Sequence, residues 1–123
     1  GGPSSALHPG GNHRRERLKR MIRIALHYAG NAISGFECKG HAGYAPAGSD
    51  IVCAAVSILT TTCVNALESV AGARGETLVK DGLMRYALPE GAGHDAQVIL
   101  LSLRQGLRDL QEAYPRYIQL TEK

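Results

Sequence analysis

Between Gly40 and Ser57 the chain reads GHAGYAPAGSDIVCAAVS, and this stretch holds the residue types that thiol chemistry needs. A cysteine attacks as the thiolate, and a neighbouring imidazole can take its proton and later return it to a leaving amine. Cys53 follows His41 by twelve residues. Ser49 or Asp50 is expected to cap a long helix, which puts Cys53 in its first turn. Unpaired backbone N–H groups and the positive end of the helix dipole there favour a thiolate and an oxyanion. Asp50 can cap the helix, orient His41, or do both, and Ser57, one turn after Cys53, can offer a hydroxyl. Gly40, Gly43 and Gly48 allow the loop to approach or close over a peptide backbone. Tyr44, in the same loop, can cover a pocket.

Taken singly, each residue also has a structural explanation. Free cysteines are commonly inert packing, a description that suits Cys53 and suits Cys38 and Cys63 still better. Asp at a helix start is most often a cap, and a lone serine in a helix bonds the carbonyl one turn back. A lone turn histidine is seldom a base. The Gly-rich loop lacks both phosphate-binding glycine patterns. His94-Asp95 lacks the further ligands that a metal site needs, and a helix start explains it. No cofactor and no metal are expected.

The elements that must position these residues follow from periodicity. Ile22, Ile24 and Leu26 alternate with Arg23 and Ala25, so a strand runs from Met21 to Ala29. Gly30-Asn31 turns the chain into a second strand, Ile33 to Lys39, forming a hairpin. The long helix then runs to about Ala71, where Gly72 and Gly75 end it. Its polar stripe is Ser57, Thr61, Asn65 and Glu68. The rest is apolar, wide enough to pack on a sheet and on a further element such as a second subunit. Thr77 to Leu88 predicts another hairpin about Lys80-Asp81-Gly82. A second helix begins at Asp95 and is stopped by Pro115, and Arg116 to Thr121 fits a last strand. The order ββαββαβ predicts an α+β two-layer sandwich, two helices on an antiparallel sheet of about five strands.

Composition narrows the function classes. Of the formal net charge of +3, residues 1–20 carry +4, from Arg14, Arg15, Arg17, Lys19 and Arg20 against Glu16, which leaves −1 for residues 21–123. The folded domain is therefore expected to bind no nucleic acid directly. Residues 1–20 read as a disordered basic extension or an expression remnant, and 21–123 as the domain. Three cysteines in a chain with no export signal argue against a disulfide framework. No run of about 18 apolar residues or secretory signal is apparent, so the expectation is a cytoplasmic protein with no membrane partner.

GHA followed by G-x-DIVCAAVS resembles the signature of the bacterial ribosomal-processing cysteine protease family, Prp. The likeness continues through Val64-Asn65-Ala66-Leu67, Asp95-Ala96-Gln97 and Tyr114-Pro115-x-Tyr117-Ile118. It covers nearly all of residues 21–123 and departs at Ala45-Pro46-Ala47. The resemblance implies that His41 and Cys53 are the catalytic pair, with Asp50 supporting them and Ser57 at the pocket edge. It further implies a homodimer that removes a short N-terminal extension from the precursor of large-subunit ribosomal protein twenty-seven, cutting after two phenylalanines. The competing reading is a non-catalytic dimeric ribosome-assembly module in which Cys53 merely packs.

Overall fold

The computed structural model describes residues 21–40 and 47–123. Five strands and two helices follow the expected order: β1 (Ile22–Ala29), β2 (Ala32–Lys39), α1 (Ala47–Ser69), β3 (Glu76–Lys80), β4 (Leu83–Ala87), α2 (His94–Ala113) and β5 (Ile118–Glu122). The strands form one sheet in the order β3-β4-β2-β1-β5.

The period-two residues do what their pattern requires. Ile22, Ile24 and Leu26 of β1 and Phe36 and Cys38 of β2 are buried on one face, against both helices. Helix α1 contributes Val52, Val56, Thr60, Cys63 and Leu67, spaced by three or four residues as one stripe. Thr60, a polar residue in this stripe, donates its hydroxyl to the Val56 carbonyl at 2.8 Å, so its burial leaves no donor unpaired. Helix α2 adds Ala96, Leu100, Leu103 and Leu107. Gly106 explains itself here: a Cβ would lie 2.9 Å from a Leu59 methyl, so the missing side chain lets the two helices close on each other.

One pairing departs from an all-antiparallel sheet. β5 runs parallel to β1, Ile22 opposite Ile118. Helix α2 carries the chain back along the sheet after β4, so β5 must run in the direction of β4. Two antiparallel steps, β4 to β2 and β2 to β1, give β1 that same direction.

The end of α1 follows its glycine. Gly72 has φ of +65°, its N–H donates to the Glu68 carbonyl, and the Ala73 N–H reaches the Leu67 carbonyl at 2.7 Å. The Gly72 bond, from its N–H to the carbonyl four residues back, is the αL closure of a helix, and the positive φ is why glycine stands there. Within α1, the stretch Ile51–Ser69 has a mean hydropathy of 1.6, long and apolar enough to cross a membrane by composition alone. It escapes a count of consecutive apolar residues because serine, threonines and asparagine interrupt it. Its buried stripe is the one packed on the sheet.

Beyond the end of β4, Gln97 of α2 takes the place of a strand. Its side-chain oxygen accepts the Ile33 N–H at 2.9 Å, and its amide nitrogen donates to the Ile33 carbonyl at 2.8 Å. Removing it leaves two backbone groups of β2 without partners, at about 1–3 kcal/mol for such a part-buried group. Gln97→Ala should lower stability by about 2 kcal/mol, read as an earlier urea midpoint with an unchanged slope. An unchanged midpoint would show that water replaces the side chain at no cost.

Candidate active site

The site is built at the end of the sheet where β2 stops. Gly40, the first residue after β2, has φ of +86°, and a Cβ there would come within 2.9 Å of the Met21 carbonyl oxygen. Its N–H donates to the Gly82 carbonyl at 2.9 Å. The start of β1 and the β3–β4 turn thus fix the residue from which the chain departs toward α1. Sequence reasoning found the turn but not this contact, which joins residues 42 positions apart and leaves no local pattern.

His41, Gly43 and Tyr44 lie outside the described residues. Gly48 and Asp50 belong to the first turns of α1. That helix opens at Ala47, earlier than a cap at Ser49 or Asp50 would allow, so both are helical residues rather than caps. Cys53 is consequently the seventh residue of the helix and sits in its second turn, not its first. Its own amide falls inside the hydrogen-bonding ladder, and the unpaired amides lie about one turn before it. A helical side chain leans back toward the N-terminus, so the sulfur is directed over that preceding turn.

The three cysteines are sharply different. Cys38, on the helix-facing side of β2, is 1% exposed, and burial, with a smaller push from Glu37, raises its thiol to about 12. Cys63, in the core stripe of α1, is 5% exposed and raised to about 12 by burial. Both stay protonated and shielded at neutral pH. Cys53 is part-exposed, packed against the edge of the core beside the fully buried Val52. Ser57, one turn further on, is exposed. A thiol that is reachable from solvent and flanked one turn away by a carboxylate-bearing and a hydroxyl-bearing position can serve acyl transfer. The other two cannot. No group of three or more metal-binding side chains occurs among the described residues.

A family model described as "Cysteine protease Prp" matches residues 21–119. The chain belongs to the Prp cysteine protease family. It is an enzyme that hydrolyses peptide bonds through a cysteine. Solved structures agree with the Prp fold over most of the chain. SMU.848 from Streptococcus mutans is 28% identical with a TM-score of 0.78, covering 83% of this chain and 96% of its own. The essential ribosomal processing protease Prp from S. aureus, in complex with a substrate peptide, is 25% identical with a TM-score of 0.78, covering 84% of this chain and all of its own. The same S. aureus protein with a covalently linked product peptide is 26% identical with a TM-score of 0.74, again over 84% of this chain. Among curated proteins, none matches.

Proposed function

We propose that this chain is a ribosomal-processing endopeptidase that removes the N-terminal extension of large-subunit ribosomal protein twenty-seven by Cys53–His41 acyl transfer. The observation that carries the reading is the contrast among the cysteines. The one in the Prp signature is part-exposed at the site end of α1, and the other two are sealed in the core. Family membership and the peptide-bound S. aureus relative support the substrate class.

In this mechanism His41 takes the Cys53 proton, and the thiolate attacks the scissile carbonyl. The tetrahedral oxyanion is held by backbone N–H groups at the opening of α1. The imidazolium protonates the departing amine as the C–N bond breaks, leaving a thioester on Cys53. Water, deprotonated by the same imidazole, then attacks the thioester and releases the carboxylate and the thiol. With Cys53 in the second turn, the helix dipole helps the thiolate less than a first-turn position would, since that effect fades within a turn. The imidazole therefore carries more of the activation. Asp50 orients it, Ser57 borders the pocket, and the segment containing Gly40, Gly43, Tyr44 and Gly48 grips the peptide backbone. The direct test is cleavage of a synthetic precursor peptide containing the Phe-Phe pair by the full chain. The expected product ends at the second phenylalanine, and an intact peptide would refute the reading.

The protein works in the cytoplasm as a homodimer. Ile58, 67% exposed, and Ile51, 55% exposed, stand on α1, while Val98 and Leu101 are exposed on α2. Between the helices runs an open groove of about 590 Å³, lined by Ala54, Ala55, Ile58, Leu59, Leu110 and Ala113 among others. So much apolar surface suits a second copy of the same helix pair. Ile58→Asp should convert the dimer to a monomer by light scattering while the fold persists. A dimer that survives the substitution would place the interface elsewhere.

A further inference from the structure

The domain's net charge of −1 conceals a separation of charge between its two layers. Helices α1 and α2 together carry five carboxylates against two arginines. The opposite face of the sheet, which no described element covers, is basic. Strand register sets Lys80 beside Leu83, Leu83 beside Lys39, and Lys39 beside Arg23 in one row across β3, β4, β2 and β1. Arg85 stands in the next row beside Glu37. Four cations thus share this face with two acids, Glu37 and Glu76.

Those acids do not neutralise the row. Glu37 is shared, 3.3 Å from the Lys39 ammonium and 3.6 Å from the Arg85 guanidinium. Burial works against its carboxylate, but Lys39 and then Arg85 outweigh this and hold it ionised. Glu76 lies at the far end of β3, two rows away. Arg23 and Lys80 have no ion-pair partner among the described residues, and Arg23 directly opposes Lys39. Like charges facing each other across a hairpin work against it unless an anion lies over them. The row borders Met21 and Gly40, at the end of the sheet where the site is built.

We propose that this open sheet face docks the phosphate backbone of RNA, holding the site end of the molecule against a ribonucleoprotein. The choice of RNA rests on the ribosomal substrate proposed above. The chemistry rests on the row itself. No aromatic residue of the described strands stands on this face, since Phe36 and Tyr86 point into the core and the Tyr28 hydroxyl meets Arg104 of α2, so these strands offer no platform for stacking bases. Binding is therefore to phosphates, independent of sequence and steeply dependent on salt. Net charge alone leads to the expectation of no nucleic-acid binding, whereas the proposal rests on how that charge is distributed.

Anisotropy of a labelled single-stranded RNA of about 20 nucleotides tests this with the full chain, titrated between about 50 and 200 mM salt. The double variant Arg23→Glu/Lys80→Glu keeps the hairpin, because it turns the Arg23–Lys39 opposition into an attraction. It should weaken binding about tenfold or more and flatten the salt slope by about 1.4, the share of two phosphate contacts. Arg74→Glu/Arg104→Glu changes the total charge equally, on the helix side and away from this face, and should leave affinity within about twofold. Both variants should cleave the free peptide like the parent. Equal weakening by both pairs, or by neither, would overturn the proposal, as would a changed oligomeric state in the face variant, which would mark a contact between copies. If the parent fails to cleave the peptide, the proposed function falls, and the binding result still reads independently.

Discussion

Replacing Cys53 with alanine should abolish peptide cleavage, with a loss of about a thousandfold or more, and leave the fold intact. The size follows from the role. Without the sulfur there is no thioester, and His41 and the helix amides are left to act on water alone. The structural cost is small because Cys53 is only part-buried at the rim of the core. Cys38→Ala and Cys63→Ala should show the reverse pattern. Both remove a sulfur from the sealed interior, so stability falls by about 1–2 kcal/mol while cleavage persists. Full turnover by Cys53→Ala, measured on purified folded protein, would end the proposed mechanism. So would loss of activity in a well-folded Cys63→Ala.

The second large effect concerns the frame. Gly35 sits in the middle of β2, where a Cβ would collide with the backbone carbonyl oxygen of Tyr86 on β4. The clash is with backbone, which cannot rotate aside, so β2 and β4 must separate. Their separation pulls apart Phe36 and Tyr86, whose rings stack at 5.6 Å in the core. Alanine gains only about 0.4–1 kcal/mol from a stiffer unfolded chain, against roughly 3 kcal/mol or more for the forced shift. Gly35→Ala is therefore expected to lower stability by about 2 kcal/mol or more, a large share of what a domain of this size has. Gly30→Ala is the control: its turn has open space around the new methyl, so the cost is confined to a positive φ of +65°, about 1 kcal/mol. Denaturant midpoints separate the two. Equal shifts would mean that the close approach of β2 and β4 is not a constraint.

The parts of this fold written in local pattern were legible. Alternation in β1 and β2, the Asp81-Gly82 turn, the apolar stripe of α2 and the glycine closure at Gly72 each depend on neighbours within a few residues. What was missed depends on distant partners or on competing local cues. β5 runs parallel because α2 returns the chain, a consequence of topology rather than of the Ile118–Glu122 sequence. The Gln97 clamp on Ile33 and the Gly40–Gly82 bond exist only once the sheet has formed. The opening of α1 was placed late because Ser49 and Asp50 are strong cap residues. Ala47 and Gly48 ahead of them carry no such signal, and the helix nonetheless begins there. At the site, residue types and spacing singled out Cys53, but only three dimensions show that Cys38 and Cys63 are shut away.

The most direct measurement uses a chloromethyl ketone built on the substrate sequence up to its second phenylalanine, incubated with the full chain and mapped by mass spectrometry of its peptides. The expected result is one adduct, on Cys53, that forms near neutral pH and is suppressed by His41→Ala. Alkylation of Cys38 or Cys63 instead, or a Cys53 adduct that forms just as fast without the histidine, would contradict the claim that an imidazole-activated Cys53 is the nucleophile.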